Sequence, residues 1–153
     1  MIKVELDIKP IPVPLLYQPV YKLVLLLAVL RYGTSKPHNS TFLKLHLYLW
    51  GLRSEENYNV LMQLKKTERN SILPWSFEPA LDKVVTIAII NNYCTKEIKS
   101  NELQIKITAE GESFLKKIEG LELFSEDISK IKAIGIIPLS SIKTASGNWK
   151  LNF

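Results

Sequence analysis

Residues 107–118 read ITAEGESFLKKI. Ile107 ends an apolar-polar alternation, Thr108 is a residue type that accepts a hydrogen bond from the first turn of a helix, and Glu110 lies where a negative charge complements the helix dipole. The stretch therefore predicts a strand that passes directly into a capped helix, AEGESFLKKIEG. Just upstream, residues 94–107 (CTKEIKSNELQIKI) read as two short strands around a polar turn near Ser100 and Asn101. A hairpin closed by a Thr-x-x-Gly helix raises the question of what precedes it.

Four helical segments precede it. The first, PVYKLVLLLAVLRY, opens at Pro19, stops at Gly33 and is apolar nearly all round, which predicts a central helix. After the loop GTSKPHN, Ser40 is the expected cap of a second helix, TFLKLHLYLWGLR, with Leu43, Leu47 and Trp50 sharing a face. Ser54 and Glu55-Glu56 start a third helix, EENYNVLMQLKKTER, whose cationic end is Lys65, Lys66 and Arg69. An irregular link, NSILPWSFEP, leads to a fourth helix opened by Pro79, PALDKVVTIAIINNY. Beyond the closing helix, Ser125 is the expected cap of a short helix EDISKIKAI, and the end, GIIPLSSIKTASGNWKLNF, reads as extended. The expected fold is mainly α: a winged helix, that is, a helical bundle plus a two-stranded β wing, with the third helix inserted before the wing-proximal one. The organisation read from the sequence is an N-terminal strand and Pro-rich arm (1–17), a winged-helix domain (18–120), and a short helix with a C-terminal tail (121–153).

In the arm, IKVELDI alternates Ile2, Val4, Leu6 and Ile8 with Lys3, Glu5 and Asp7. That is the pattern of a half-buried strand. Prolines 10, 12 and 14 then favour stiff extended chain. The strand has no local hairpin partner, so it either lies on the domain's own surface or adds to a partner.

Apolar residues make up 46% and charged residues 23% of the 153-residue chain, which matches an ordinary folded protein. The single cysteine, Cys94, excludes an intramolecular disulfide and fits a reducing compartment. The N-terminus lacks the apolar stretch of a secretion signal, and the run LVLLLAVL is far short of the about 20 residues that span a bilayer. A cytoplasmic protein is expected. Of the net +5, all lies in the first half: residues 1–77 hold ten Lys/Arg against five Asp/Glu, and residues 78–153 hold ten of each. Such dispersed charge permits weak phosphate contact without requiring it.

A winged helix that reads DNA presents Arg, Lys, Asn, Gln or Ser from the helix before the wing. Here that helix carries Leu81, Val84, Val85, Ile87, Ala88, Ile89, Ile90 and Tyr93, one cation (Lys83) beside Asp82, and only Thr86, Asn91 and Asn92 as further polar candidates. The wing balances Lys96, Lys99 and Lys106 against Glu97 and Glu102. Sequence-specific DNA reading is therefore disfavoured. Chemistry is disfavoured too. His46 and His38 form no ligand set with Cys94, acids at helix starts serve dipoles, and there is no glycine-rich phosphate loop or Ser/His/Asp set. The expectation is no enzyme, no cofactor and no metal. The aromatic excess points instead to protein contact: Tyr48, Trp50, Trp75, Trp149 and Phe153, with Ile2, Val4, Leu6 and Ile8 of the arm, are the candidate interface residues. Lys65, Lys66 and Arg69 are the candidates for a nucleic-acid backbone, although a solvated helix end is the favoured reading of them.

The runs QPVYKLVLLLAVLRYG, TFLKLHLYLWGLRSEEN, PWSFEPALDKVVTIAIINNYC and ITAEGESFLKKI, in this order over residues 18–119, resemble the small middle component of three-component ABC-ATPase defence systems of the Lamassu type. The resemblance implies a non-enzymatic accessory subunit that binds an SMC-like ABC ATPase and an effector subunit in an anti-phage or anti-plasmid complex. It implies fold or interface roles, not catalytic ones, for His46, Trp50, Arg53, Pro79 and Leu81. The rival expectation is a DNA-binding winged-helix regulator, and a third is a homodimer paired through its N-terminal strands. In the accessory-subunit reading any DNA contact is indirect or non-specific, and no membrane is involved.

Overall fold

The computed structural model describes residues 19–66, 80–138 and 140–143. The chain is mainly helical with one small antiparallel sheet. In order it runs α1 (Pro19–Tyr32), β1 (Asn39–Thr41), α2 (Phe42–Gly51), α3 (Glu55–Lys65), α4 (Leu81–Ile90), β2 (Cys94–Lys99), β3 (Glu102–Ile107), α5 (Ala109–Gly120) and α6 (Ser125–Ile134). A short helical turn at 140–143 follows.

The expectation that the first helix is central holds. All eight residues from Leu23 to Leu30 are buried, and α1 packs against α2, α4, α5, α6 and β3. A helix without a polar face can persist only where other elements cover every side of it, and five elements do so here. The core continues through Leu45, Tyr48, Leu61, Leu81, Ile105 and Leu115 into Ile128, Ile131, Ile134, Ile137 and Ile142. The stretch after α5 thus shares one core with the helices before it. Tyr48 anchors this junction: its hydroxyl donates to the Gly135 carbonyl at 2.7 Å and accepts from the Ile137 N–H at 3.0 Å.

The hairpin lies where the alternation places it. Cys94 pairs with Ile107, Thr95 with Lys106, and so on out to Lys99 with Glu102. Ser100 and Asn101 turn the chain with φ of 55° and 63°, the left-handed pair that suits the twist of a two-residue hairpin. The sheet is larger than the expected two strands. Asn39–Thr41, read from the sequence as loop, cap and first helical residue, forms β1 and pairs antiparallel with β3, giving the order β1-β3-β2. Three residues after a Pro-containing loop are too few for a period-two pattern to register, so only the arrival of β3 alongside creates this strand.

Two caps differ from expectation. Thr41, not Ser40, caps α2 and accepts from the Lys44 N–H; Ser40 is already in β1, opposite Ile105. Phe124, not Ser125, occupies the cap position of α6, in left-handed backbone with φ 57°. The Phe124 ring packs edge-on against Tyr21 at 5.3 Å, and the Ser125 hydroxyl donates back to the Glu122 carbonyl. A tertiary ring contact has taken the place of a local cap. Ser54 and Thr108 do cap α3 and α5. The C-terminal stretch, expected to be extended, is helical at 140–143. The expected arm strand, the whole link NSILPWSFEP with Pro79 as the expected opening of the fourth helix, and the final aromatic residues lie outside the described residues.

The Thr-x-x-Gly stretch explains how α5 is fastened. The Thr108 hydroxyl accepts from the Gly111 N–H at 3.0 Å and donates to the Asn92 carbonyl at 2.6 Å. The Thr108 N–H donates to the Tyr93 carbonyl. A Cβ on Gly111 would lie 2.3 Å from that same carbonyl oxygen. Glycine is needed because the first turn of α5 presses directly on the backbone that links α4 to β2.

Candidate protein-contact surface

The outward side of α4 follows from its sequence. In LDKVVTIAII, Leu81, Val84, Val85 and Ala88 recur at helical spacing and are buried. The opposite stripe is Asp82, Lys83, Thr86, Ile87 and Ile90. Ile90 is 73% exposed. An open depression of about 390 Å³ is lined by Asp82, Lys83, Thr86 and Ile87.

Thr86 in this stripe and Asn91 just beyond it bond back to their own helix. The Thr86 hydroxyl donates to the Asp82 carbonyl at 2.9 Å, and the Asn91 side-chain amide donates to the Ile87 carbonyl at 2.8 Å. Asn92, the third polar candidate, sits in left-handed backbone with its carbonyl engaged by Thr108. These are the groups that would have to reach base edges, and two of them are occupied by backbone partners. The remaining surface is one Lys-Asp neighbour pair and two isoleucines.

The hairpin adds a second apolar element. Cys94, Ile105 and Ile107 point into the core. Alternation puts Ile98 and Leu103 on the same face, directly opposite one another. The hairpin outreaches the body there, leaving Ile98 72% and Leu103 41% exposed. Its charges are mixed: Lys99 stands opposite Glu102, and Glu102 also receives Lys143 at 3.4 Å.

A further groove of about 390 Å³ lies at the start of α5, between Tyr93, Glu110, Ser113, Phe114 and Lys117. Tyr93 and Phe114 stack at 4.6 Å with their planes 14° apart. Sequence reasoning missed this pair, because nothing local connects position 93 with position 114; the contact arises when α5 docks beside the α4–β2 turn.

The sequence-derived site residues are dispersed. Tyr48 is fully buried, so its ring belongs to the internal core and offers no contact surface, a correction forced by the Gly135–Ile137 segment folding over it. Trp50 is half-buried against the core. Lys65 donates to the Ala133 carbonyl at 3.0 Å, binding the end of α3 to the last turn of α6. Lys66 is exposed beside it. Ile2, Val4, Leu6, Ile8, Arg69, Trp75, Trp149 and Phe153 lie outside the described residues.

Titratable groups support packing rather than chemistry. Burial pushes the Cys94 thiol up to about 12, so it stays protonated. The Tyr32 hydroxyl, partly buried and donating to Glu119, is held up at about 12. Lys44 is the exception in kind: it is 7% exposed, and burial alone lowers its ammonium to about 8. The ammonium faces the Tyr48 ring, 5.7 Å from its centre. Among the described residues no group of three His, Cys, Asp or Glu could hold a metal ion, and no helix is long and apolar enough to cross a membrane. Comparison with family models, with curated proteins and with solved structures finds no match.

Proposed function

We propose that this protein is a non-catalytic assembly subunit with a winged-helix fold, one that uses the wing-proximal helix to bind protein instead of DNA. The winged-helix reading is supported by the element order α1-β1-α2-α4-β2-β3 and the strand order β1-β3-β2, with α3 as the insertion. The contact reading rests on one observation. The outward stripe of α4 exposes Ile90 and leaves Ile87 half-buried, while Thr86 and Asn91, which would read bases, are bonded to their own helix. A groove-reading helix needs several free donors, each good bidentate contact being worth roughly 1–3 kcal/mol. A protein partner needs an apolar anchor with a polar margin, and this stripe, with Ile90 at its C-terminal end and Lys83 and Asp82 about two turns away at its start, has that composition.

By resemblance, the partner is an SMC-like ABC ATPase, with an effector subunit, in a cytoplasmic anti-phage or anti-plasmid complex. Fold analogy is a weaker support than the surface itself. The test is a tagged pull-down from the native host at moderate salt, with and without nuclease, using the wild type and Ile90→Asp. The expected result is a stoichiometric ATPase partner that survives nuclease and is lost with Ile90→Asp while thermal stability is kept. Recovery of DNA without a protein partner overturns the reading in favour of a DNA-binding regulator.

A further inference from the structure

The order β1-β3-β2 leaves β2 at the rim of the sheet. Two hydrogen bonds fix which of its peptide groups face outward. The Ile107 N–H donates to the His38 carbonyl, on the β1 side, and the Thr108 N–H donates to the Tyr93 carbonyl, on the β2 side. Peptide groups alternate along a strand. Glu102, Gln104 and Lys106 therefore turn to β2, and their partners Lys99, Glu97 and Thr95 turn to β3. Cys94, Lys96 and Ile98 direct their N–H and C=O groups to the open rim. The side chains of Thr95, Lys96, Ile98 and Lys99 along it are exposed.

Side chains divide the same strand by face. Ile98 lies opposite Leu103 on the face that leads into the core, and both are exposed where the tip outreaches the body. Glu97 and Lys99 lie on the other face, opposite Gln104 and Glu102. An open rim of this kind is a template for another strand. A second copy can add to it about a two-fold axis perpendicular to the sheet, which keeps like faces on the same side. An axis at Lys96, Glu97 or Lys99 sets that residue against its own mate, and like charges directly opposite destabilise a pair. An axis at Cys94 or Thr95 lays each tip along the α4–β2 turn of the second copy. An axis at Ile98 meets neither obstacle. It sets Ile98 against Ile98 and, twice by symmetry, Glu97 against Lys99. Leu103, Ile98 and their mates then make one continuous apolar row, while opposite charges face each other on the other side of the sheet. The paired strands run antiparallel and their tips overhang, so the two bodies lie at opposite ends of the pair.

We propose that the hairpin tip is a self-association surface, on which β2 pairs antiparallel with β2 of a second copy about a two-fold axis at Ile98. The proposal is independent of the assembly-subunit reading, which rests on α4.

The test has two arms. In the first, Ile98→Cys and Thr95→Cys are compared under mild oxidation; the native Cys94 is buried and common to both. A hydrogen-bonded antiparallel pair holds its Cα atoms about 5.5 Å apart, within disulfide reach. The same register leaves the two Thr95 positions roughly 20 Å apart. A covalent dimer is expected from Ile98→Cys and not from Thr95→Cys. In the second arm, sedimentation equilibrium of the wild type is expected to show a concentration-dependent dimer. Glu97→Lys and Lys99→Glu should each weaken it about tenfold. An equimolar mixture of the two should restore it, because each variant supplies the charge that the other lacks, and this rescue also shows that both are folded. A wild type that stays monomeric at every concentration, a mixture no tighter than either variant alone, or equal cross-linking at both positions overturns the proposal. Ile90→Asp should leave the dimer intact, so loss of an α4 partner and loss of self-association are read separately.

Discussion

Lys44 offers the sharpest test of the packing described above. It sits in α2 with only 7% of its surface exposed, and burial lowers its pKa from 10.5 to about 8. One pKa unit corresponds to about 1.4 kcal/mol, so the charged form destabilises the fold by at most about 3 kcal/mol, less whatever the Tyr48 ring returns. The sign follows from proton counting. Below pH 8 both folded and unfolded chains carry the charge, and the penalty is fully present. Between about 8 and 10.5 the unfolded chain holds a proton that the folded chain has released, so stability from this group rises with pH. Lys44→Met keeps the apolar stem and removes the ammonium. It is expected to raise unfolding free energy by about 1–3 kcal/mol at pH 7. The advantage should shrink steadily toward pH 10. Urea unfolding of both proteins at pH 7, 8, 9 and 10 checks this, and using the difference cancels the opposing titrations of Cys94 and the tyrosines, which are common to both. A gap that is absent at pH 7, or that stays constant with pH, would refute the claim that Lys44 is buried without compensation.

Other substitutions probe the close approaches. Gly111→Ala drives a Cβ to 2.3 Å from the Tyr93 carbonyl oxygen and should destabilise by about 3 kcal/mol, read by thermal unfolding, because backbone cannot step aside. Gly51→Ala meets Leu61, fully buried on α3, at 2.1 Å; a loss of about 2 kcal/mol is expected despite the better helix propensity of alanine. Tyr48→Phe strands the buried Ile137 N–H and should lower stability by about 1–3 kcal/mol, with faster amide exchange at Ile137 than at Leu26 as the local signature. Thr108→Ala removes both the α5 cap and the bond to Asn92, for about 1–2 kcal/mol in chemical denaturation.

Much of the architecture was legible because it is written in local periodicity. The unbroken apolar run of α1 could only be central, the alternation of 94–107 could only be a hairpin, and Ser54 and Thr108 stand where caps stand. The candidate site was less legible. That α4 lacks a reading face could be inferred from composition. That Thr86 and Asn91 bond back to Asp82 and Ile87 could not, since both are rotamer choices settled by the exposed backbone carbonyls around them. Tyr48 was misread for a related reason. An aromatic in an amphipathic helix looks the same in sequence whether it faces a partner or the chain's own returning segment.

The order and kind of most elements, the centrality of α1, the hairpin register and the poverty of cations on α4 follow from the residue pattern alone, because each depends on neighbours within a few residues. Long-range packing makes Asn39–Thr41 a strand, puts Phe124 in place of Ser125 at the start of α6, encloses Lys44, and leaves Ile98 and Leu103 overhanging the body. The first two depend on contacts between residues distant in the chain, β1 with β3 and Phe124 with Tyr21, and the last two on how far the assembled elements cover a side chain. Local propensity carries no information about which distant surface will arrive, and at these positions the arriving surface overrides it.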